Sequence, residues 1–286
     1  MKFAFIKESL MEFPVDAACD VLGVSRAGYY AWRNRPPSGR TRRCQELAAK
    51  IQAVHEENRR VYGSPRLYRA LKAQGEKVCR NTVAKVMAQQ GIRAKTKKKF
   101  VPRTTDSGHD MPVAGNVLDR QFAARRPDRK WTTDITYIPT DEGWLYLSGV
   151  MDLCTRKIVG WSMAEHLRMD LVGDAMKMAI ARRRPGHGLL HHSDRGVQYA
   201  SEDYQHLLKE QQMEVSMSGR GDCWDNAPME SFWGTLKTEL VHHEHYATRA
   251  QARQSIFEYI EVFYNRQRLH SSLGYLSPEQ FEASLS

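Results

Sequence analysis

Three acids stand where a carboxylate needs a reason. Asp134 falls in WTTDITY, Asp194 in HHSDRGVQY and Glu230 in NAPMESFWGTLK. The first string is β-branched and aromatic in near alternation, which predicts a strand carrying Asp134 on the same face as Thr132 and Thr136. The second belongs to a short apolar run, GLLHHSD, that reads as a buried strand ending at Asp194. The third opens on Ala227-Pro228, a helix start, and puts Glu230 in the first turn. A carboxylate held partly out of water is costly unless a cation or a partner sits beside it. Three of them converging from separate elements form the oxygen-only ligand set that hard cations take, and suit two Mg2+ ions, with Mn2+ as a substitute. Such a pair serves phosphoryl transfer, one ion activating the attacking oxygen and the other stabilising the leaving oxygen. Spacing alone is uninformative: with 33 acids in 286 residues, the interval from Asp194 to Glu230 arises about three times by chance. The strings around the acids carry the reading.

Other residues compete for attention. Lys237 lies seven residues after Glu230, two helical turns on, and so points the same way, toward a phosphate. Phe232, Leu236 and Leu240 form the neighbouring apolar stripe. His191, His192, His242, His243 and His245 lack cysteines at zinc spacing, and His192 is placed to orient Asp194 or touch DNA. Asp222 and Asp225 are substitute ligands in reserve, although Asp225-Asn226 suits a helix cap better. Asp152 reads as a turn acid. Trp131, Trp161 and Trp233 read as packing residues, of which one near the site could stack on an extruded base.

The elements that must position these groups form two unlike halves. Residues 1–120 hold 24 Lys and Arg against 11 Asp and Glu, whereas residues 121–286 hold 19 against 22, within a net charge of +10. A basic front joined to a slightly acidic back suggests a nucleic-acid grip attached to other machinery. In the front, Val15–Leu22, a turn at Gly23 and a helix capped by Ser25 predict a helix-turn-helix over residues 1–36. Its second helix offers Arg26, Tyr29, Tyr30 and Arg33 to DNA. Arg35-Pro36-Pro37-Ser38-Gly39-Arg40 reads as a linker. A second such unit, 41–100, has helices from Thr41 to about Asn58, from Ser64-Pro65 to Gly75, and from about Arg80 to Gly91. Arg66 belongs to it, and its basic tail Lys97, Lys98 and Lys99 suits a phosphate backbone. Residues 101–124 read as a flexible linker. In the back half, 125–245, the order is three strands in an antiparallel meander, helix, strand, helix, strand, helix. That is the order of an α/β RNase H-like fold, a mixed five-stranded sheet with flanking helices. The tail 246–286 begins with a long amphipathic helix, Thr248–Arg268, carrying Arg266, Arg268 and His270 toward DNA or a neighbouring protomer.

Composition excludes several classes. Apolar residues at 41% and charged residues at 27% fit a folded, non-fibrous chain. No stretch approaches the length of a spanning helix, and Lys7, Glu8 and Glu12 interrupt any signal-peptide core, so a cytoplasmic, nucleoid-associated protein is expected. Five scattered cysteines, never in CxxC, argue against a disulfide framework or zinc knuckle.

Taken together, the strings resemble the DDE transposases of bacterial insertion sequences, whose catalytic core is like that of retroviral integrase. The nearest likeness is to the large second-reading-frame product of the copy-out insertion-sequence family, and it covers nearly the whole chain. SRAGYYAW and YGSPRLYRAL resemble that family's two helix-turn-helix segments, and NRQRLHSSLGYLSPEQF its C-terminal signature. The resemblance implies Mg2+-dependent cleavage at element ends and strand transfer, with Asp134, Asp194 and Glu230 as metal ligands. It further implies Lys237 near the scissile phosphate and no covalent enzyme–DNA intermediate. The implied partners are inverted-repeat and target double-stranded DNA, a second protomer on that DNA, and an upstream-frame fusion partner. A catalytically inactive DNA-binding regulator need not keep all three acids. An RNase H-like nuclease would not usually carry two helix-turn-helix units.

Overall fold

The computed structural model describes residues 1–8, 13–96, 113–219 and 223–285, leaving Lys97, Lys98, Lys99 and Asp222 outside the described residues. At the N-terminus, α1 (Lys2–Glu8), α2 (Val15–Leu22) and α3 (Arg26–Asn34) close on a small core of Ile6, Cys19 and Tyr29. Gly23 ends α2 at φ 61°, a left-handed turn that suits glycine, and the Ser25 hydroxyl accepts the Gly28 N–H at 3.1 Å to cap α3. The helix pair is as expected, but α1 was not foreseen. Tyr29 needs correcting as a DNA contact: its ring faces inward from α3 and fills the core with Ile6 and Cys19. Arg26, Tyr30 and Arg33 do lie exposed on α3, with Arg26 paired to Asp16 at 2.7 Å.

Helix α4 (Gly39–Glu57) starts inside the expected linker, because Ser38 caps it by accepting the Thr41 N–H. With α5 (Ser64–Ala73) and α6 (Arg80–Gln89) it buries Ile51, Val54, Leu67, Leu71, Val83, Val86 and Met87. These side chains are continuous with the apolar layer on one face of the sheet that follows.

That sheet contains β1 (Lys130–Thr140), β2 (Gly143–Asp152) and β3 (Ile158–Ala164) as an antiparallel meander. Then come α7 (Met169–Arg183), β4 (Leu190–Ser193), α8 (Val197–Ala200), α9 (Glu202–Glu210) and β5 (Glu214–Met217). The strand order is β3-β2-β1-β4-β5, with β4 parallel to β1 and β5 parallel to β4. This is the RNase H-like mixed sheet. Helix α10 (Ala227–Glu239) crosses one face, followed by α11 (Arg249–Phe257) and α12 (Pro278–Ala283).

Alternation along the strands sorts the two faces. Ile138, Leu145, Leu147 and Met151 pack under α10 and α11, whereas Trp131, Val150 and Val159 pack under α7 and α9. Each face has one glycine where a helix comes close. A Cβ at Gly160 would stand 2.2 Å from the Ala175 carbonyl oxygen of α7. A Cβ at Gly149 would stand 2.9 Å from the Trp233 ring and 3.2 Å from the Met229 methyl of α10.

Three further expectations change. Residues 113–122 are docked rather than a loose linker: Val117 and Leu118 N–H both donate to the Ser216 hydroxyl at 3.0 Å, and Leu118 is buried with Leu153 and Leu190. The segment after Thr248 is not one α-helix. A capping box at Thr248 starts α11 as the sequence suggests, but Glu258–Tyr264 forms a wider π turn. That turn directs the chain inward, so Arg268 and His270 are buried instead of reaching DNA. Arg268, 5% exposed, donates to both Glu239 carboxylate oxygens, from Nε at 2.8 Å and Nη2 at 2.7 Å. Arg66 follows the same correction. Its Nε donates to the Leu269 carbonyl at 2.9 Å, and its guanidinium lies over Tyr62. Front unit and tail thus meet beside α10, with Arg66 on the Leu269 carbonyl of the tail and Arg268 on Glu239 of the helix.

Candidate active site

Asp134 sits just past the end of a ladder. The parallel pairing of β1 with β4 runs from Lys130↔Leu190 to Thr132↔His192 and stops. Two residues further along each strand come Asp134 and Asp194, flanking the crevice where the strands part. A crevice at the carboxyl ends of parallel strands is where open α/β sheets present ligand-binding groups. Asp134 keeps its carboxylate half-buried. The Ile135 N–H donates to Oδ1 at 2.8 Å and the Trp233 indole N–H donates to Oδ2 at 3.0 Å. In the tight turn after β4, the Asp194 carboxylate accepts the Gly196 N–H at 2.9 Å.

Glu230 arrives on α10, three residues before Trp233. The start of this helix is tied to β1 by Asn226, which accepts a hydrogen bond from the Thr132 hydroxyl and donates to the Thr133 carbonyl at 2.9 Å. Asn226 therefore serves as a strand-to-helix tether, since it makes no side-chain capping bond to α10. Asp225 does not cap the helix either. It receives Asn116, the Gly219 N–H and Arg120. Burial alone pushes Asp225 upward, but the Gly219 N–H and Arg120 outweigh it and hold the carboxyl below its ordinary range.

Burial raises the Asp152 carboxyl as well, but the large rise falls at Asp134. Burial pushes the Asp134 carboxyl up to about 8, and the charge of Asp194 and, more weakly, Glu230 adds to the rise against the Ile135 and Trp233 donors. Burial also raises Glu230, whose side chain faces solvent. Repulsion between Asp134 and Asp194 is what a divalent cation relieves, and the donor set is oxygen only, although among the described residues no three such groups stand close enough together to hold one. Lys237 approaches from the same helix. Burial lowers its pKa, partly offset by the Asp134 charge, and its ammonium stands 4.6 Å from the Tyr137 ring centroid.

The reserve residues have other tasks. His192 is buried between the Ser216 and Ser218 hydroxyls, at 2.9 and 3.2 Å, and burial pushes it down to about 4. His191 is likewise pushed down to about 3 by burial. Asp152 accepts from Thr155 and from the Asp128 N–H, as a turn acid does. Trp233 was legible only as packing, and its bond to Asp134 depends on the strand-helix distance. Gly149 was overlooked, although a glycine inside an apolar strand signals close approach. It pairs directly with Asp134 across β1 and β2, so the Trp233 ring can rest beside the acid.

Comparison with known proteins follows this geometry. An integrase core domain family model matches residues 124–223, a second integrase core domain model matches 230–284, and an HTH-like domain model matches 42–100. The chain is similar to the transposase InsF of insertion sequence IS3A from Escherichia coli (strain K12), at 44% identity over 99% of this chain and 98% of that protein. It is also similar to an uncharacterized 31 kDa protein of insertion element IS600 from Shigella sonnei, at 46% identity over 92% of this chain and 96% of that one. Among solved structures, a chain of a simian T-cell lymphotropic virus intasome in complex with the PP2A regulatory subunit B56 gamma aligns with a TM-score of 0.47. The alignment has 14% identity and covers 81% of this chain and 74% of that one.

Proposed function

The chain belongs to the IS3-type insertion-sequence transposases with an integrase core domain, and from that premise we propose that Asp134, Asp194 and Glu230 are its catalytic carboxylates. The protein is a DNA transposase, a polynucleotidyl transferase that cleaves strands at insertion-sequence ends and joins them to new DNA. The observation that carries the site assignment is the meeting of Asp134 and Asp194 where β1 and β4 part, with the Glu230 helix bonded to Asp134 through Trp233.

Each residue has a defined share of the work. The three carboxylates would hold two Mg2+ ions, or Mn2+ in their place. When bound, such a pair lowers the pKa of the attacking hydroxyl and stabilises the leaving oxygen. Trp233 fixes the carboxylate plane of Asp134, and Asn226 fixes where α10 begins. Lys237, anchored over Tyr137, offers its ammonium to a phosphate beside the scissile bond. No Ser, Tyr or His nucleophile is needed, because water and then a DNA 3′-hydroxyl can attack in line.

Arg26, Tyr30 and Arg33 on α3, together with Lys97, Lys98 and Lys99, are proposed to contact the phosphate backbone of the inverted-repeat ends. Pairing two ends calls for a second protomer on DNA, and an upstream-frame fusion partner is the proposed route to it. Among the described residues no helix is long and apolar enough to cross a membrane, and association with the nucleoid is proposed.

Oligonucleotides copied from the element's own termini provide the test. Metal-dependent nicking and joining by the wild type, abolished in Glu230→Gln, is the expected result. Equal activity in both proteins would overturn the Glu230 assignment.

A further inference from the structure

Beyond the carboxylates, the edge of β1 carries aromatic rings for which the fold has no evident use. Past Thr132, β1 has no further rung with β4. Lys237 reaches around this open edge and rests over Tyr137, on the face opposite Asp134. The Tyr137 ring meets Trp144 edge-on, with centroids 4.8 Å apart. Tyr146 pairs directly with Tyr137 across the strands and is half-buried on the same face. Trp144 is 48% exposed. Its backbone is firmly held, pairing with Pro139 while its carbonyl accepts Arg249 Nε at 3.2 Å. An exposed indole on a fixed strand is a rigid platform that loses little freedom on binding.

We propose that Tyr137 and Trp144 form a stacking shelf for an unpaired nucleobase of the DNA strand engaged at the carboxylate site, with Lys237 holding the adjoining phosphate. This inference rests on the transposase reading of that site. Three arguments commit the shelf to DNA. It is joined to the carboxylate site by α10, whose Lys237 rests over Tyr137 and whose Trp233 bonds to Asp134. Lys237, resting over Tyr137, complements a phosphate. The acids near the hairpin tip are already engaged: Asp141 with His245 at 3.1 Å, Glu142 with the Arg249 N–H at 2.8 Å, and Glu165 with the Arg249 guanidinium at 2.9 Å.

The reach also fits. Along β1, Tyr137 lies about 10 Å and the Trp144 rung about 17 Å from Asp134, at about 3.3 Å per strand residue. That span corresponds to about three to five base pairs of B-form duplex. Aromatic faces bind bases that have left the stack, and they do so with little sequence preference. The shelf therefore selects for a frayed or splayed end rather than for a particular base.

The experiment measures binding of the full chain to a blunt duplex and to the same duplex carrying a short unpaired oligothymidine tail. The background is Glu230→Gln, so that cleavage cannot intervene. Expected is tighter binding of the tailed DNA, a preference that Trp144→Ala reduces about ten-fold while leaving blunt-duplex affinity unchanged. Trp144→Phe retains most of the preference. A 2-aminopurine in the tail should lose fluorescence on binding the wild-type shelf and recover it with Trp144→Ala. Thermal melting guards against misfolding, and Tyr137→Leu gives an independent variant. Equal loss on both DNAs, no loss on either, or absence of any preference for the tail overturns the shelf. Failure of the carboxylate reading would show separately, as nicking that survives Glu230→Gln.

Discussion

Helix α10 carries two acids nine residues apart, and their surroundings are opposite. At its start, Glu230 lies exposed on the side of Asp134, where burial and the charge of Asp194 push the Asp134 carboxyl up to about 8. At its end, Glu239 is buried but answered. Arg268 donates to both carboxylate oxygens, the Tyr259 hydroxyl donates at 2.8 Å, and Lys95 donates to the Glu239 main-chain carbonyl at 3.0 Å. Burying a carboxylate with its partners complete fixes a structure, although it adds little net stability over an apolar packing. Burying carboxylates against one another stores repulsion that a cation can relieve. One helix thus has a structural end and, on the proposed assignment, a chemical end, distinguished by what faces each acid.

Four measurements can break or sharpen this contrast. Glu230→Gln has the largest effect on activity, with strand cleavage on terminal oligonucleotides falling about a thousand-fold or more. Its melting temperature should equal or exceed that of wild type, and a marked loss of stability would make Glu230 structural as well. Arg268→Ala comes next and acts on stability, because it strands a buried Glu239. A loss of about 3–5 kcal/mol is expected in denaturant unfolding, and pairing it with Glu239→Gln should restore part of that loss.

Asp134→Asn tests the chemical end through pH. A carboxyl whose folded pKa is raised binds more protons folded than unfolded, so its contribution to stability falls as pH climbs from about 4 to about 8. His191, His192 and His270, held low by burial, act in the opposite direction, raising stability up to the ordinary histidine range. The window from about pH 6.5 to 8 therefore isolates Asp134. There the metal-free wild type should lose stability relative to Asp134→Asn, and added Mg2+ should close the gap. Parallel curves would refute the repulsion. The smallest effect is that of Tyr259→Phe, which removes one donor from Glu239 and should cost about 1–2 kcal/mol in the same unfolding assay while leaving the metal requirement of cleavage intact.

How legible this was follows from the range of each interaction. The strands around Asp134 and the helix at Glu230 announce themselves through alternation and Pro-initiated helix chemistry, which are local. The RNase H-like order follows from them. The bond from Trp233 to Asp134 spans 99 residues of sequence and depends on a missing side chain at Gly149, so no local pattern encodes it. Arg66, Arg268 and His270 looked like DNA contacts because a string of basic and polar residues reads as surface. The chain past the π turn at Glu258–Tyr264 holds Arg268 and His270 inside and lays the Leu269 carbonyl on Arg66. Tyr29 misled for a related reason, since a helix with aromatic residues on both sides does not reveal which side is core.

The Arg268–Glu239 pair also has a direction in time. Synthesis runs from the N-terminus, so Tyr62, Arg66 and Glu239 leave the ribosome before the residues that complete them. The Tyr62 hydroxyl waits for the Gln267 carbonyl, 205 residues later, and Glu239 waits for Arg268. A chain cut before Arg268 carries an uncompensated carboxylate, Glu239, in the helix that bears Glu230. The order of synthesis therefore leaves the buried end of this helix uncompensated until Arg268 has been made.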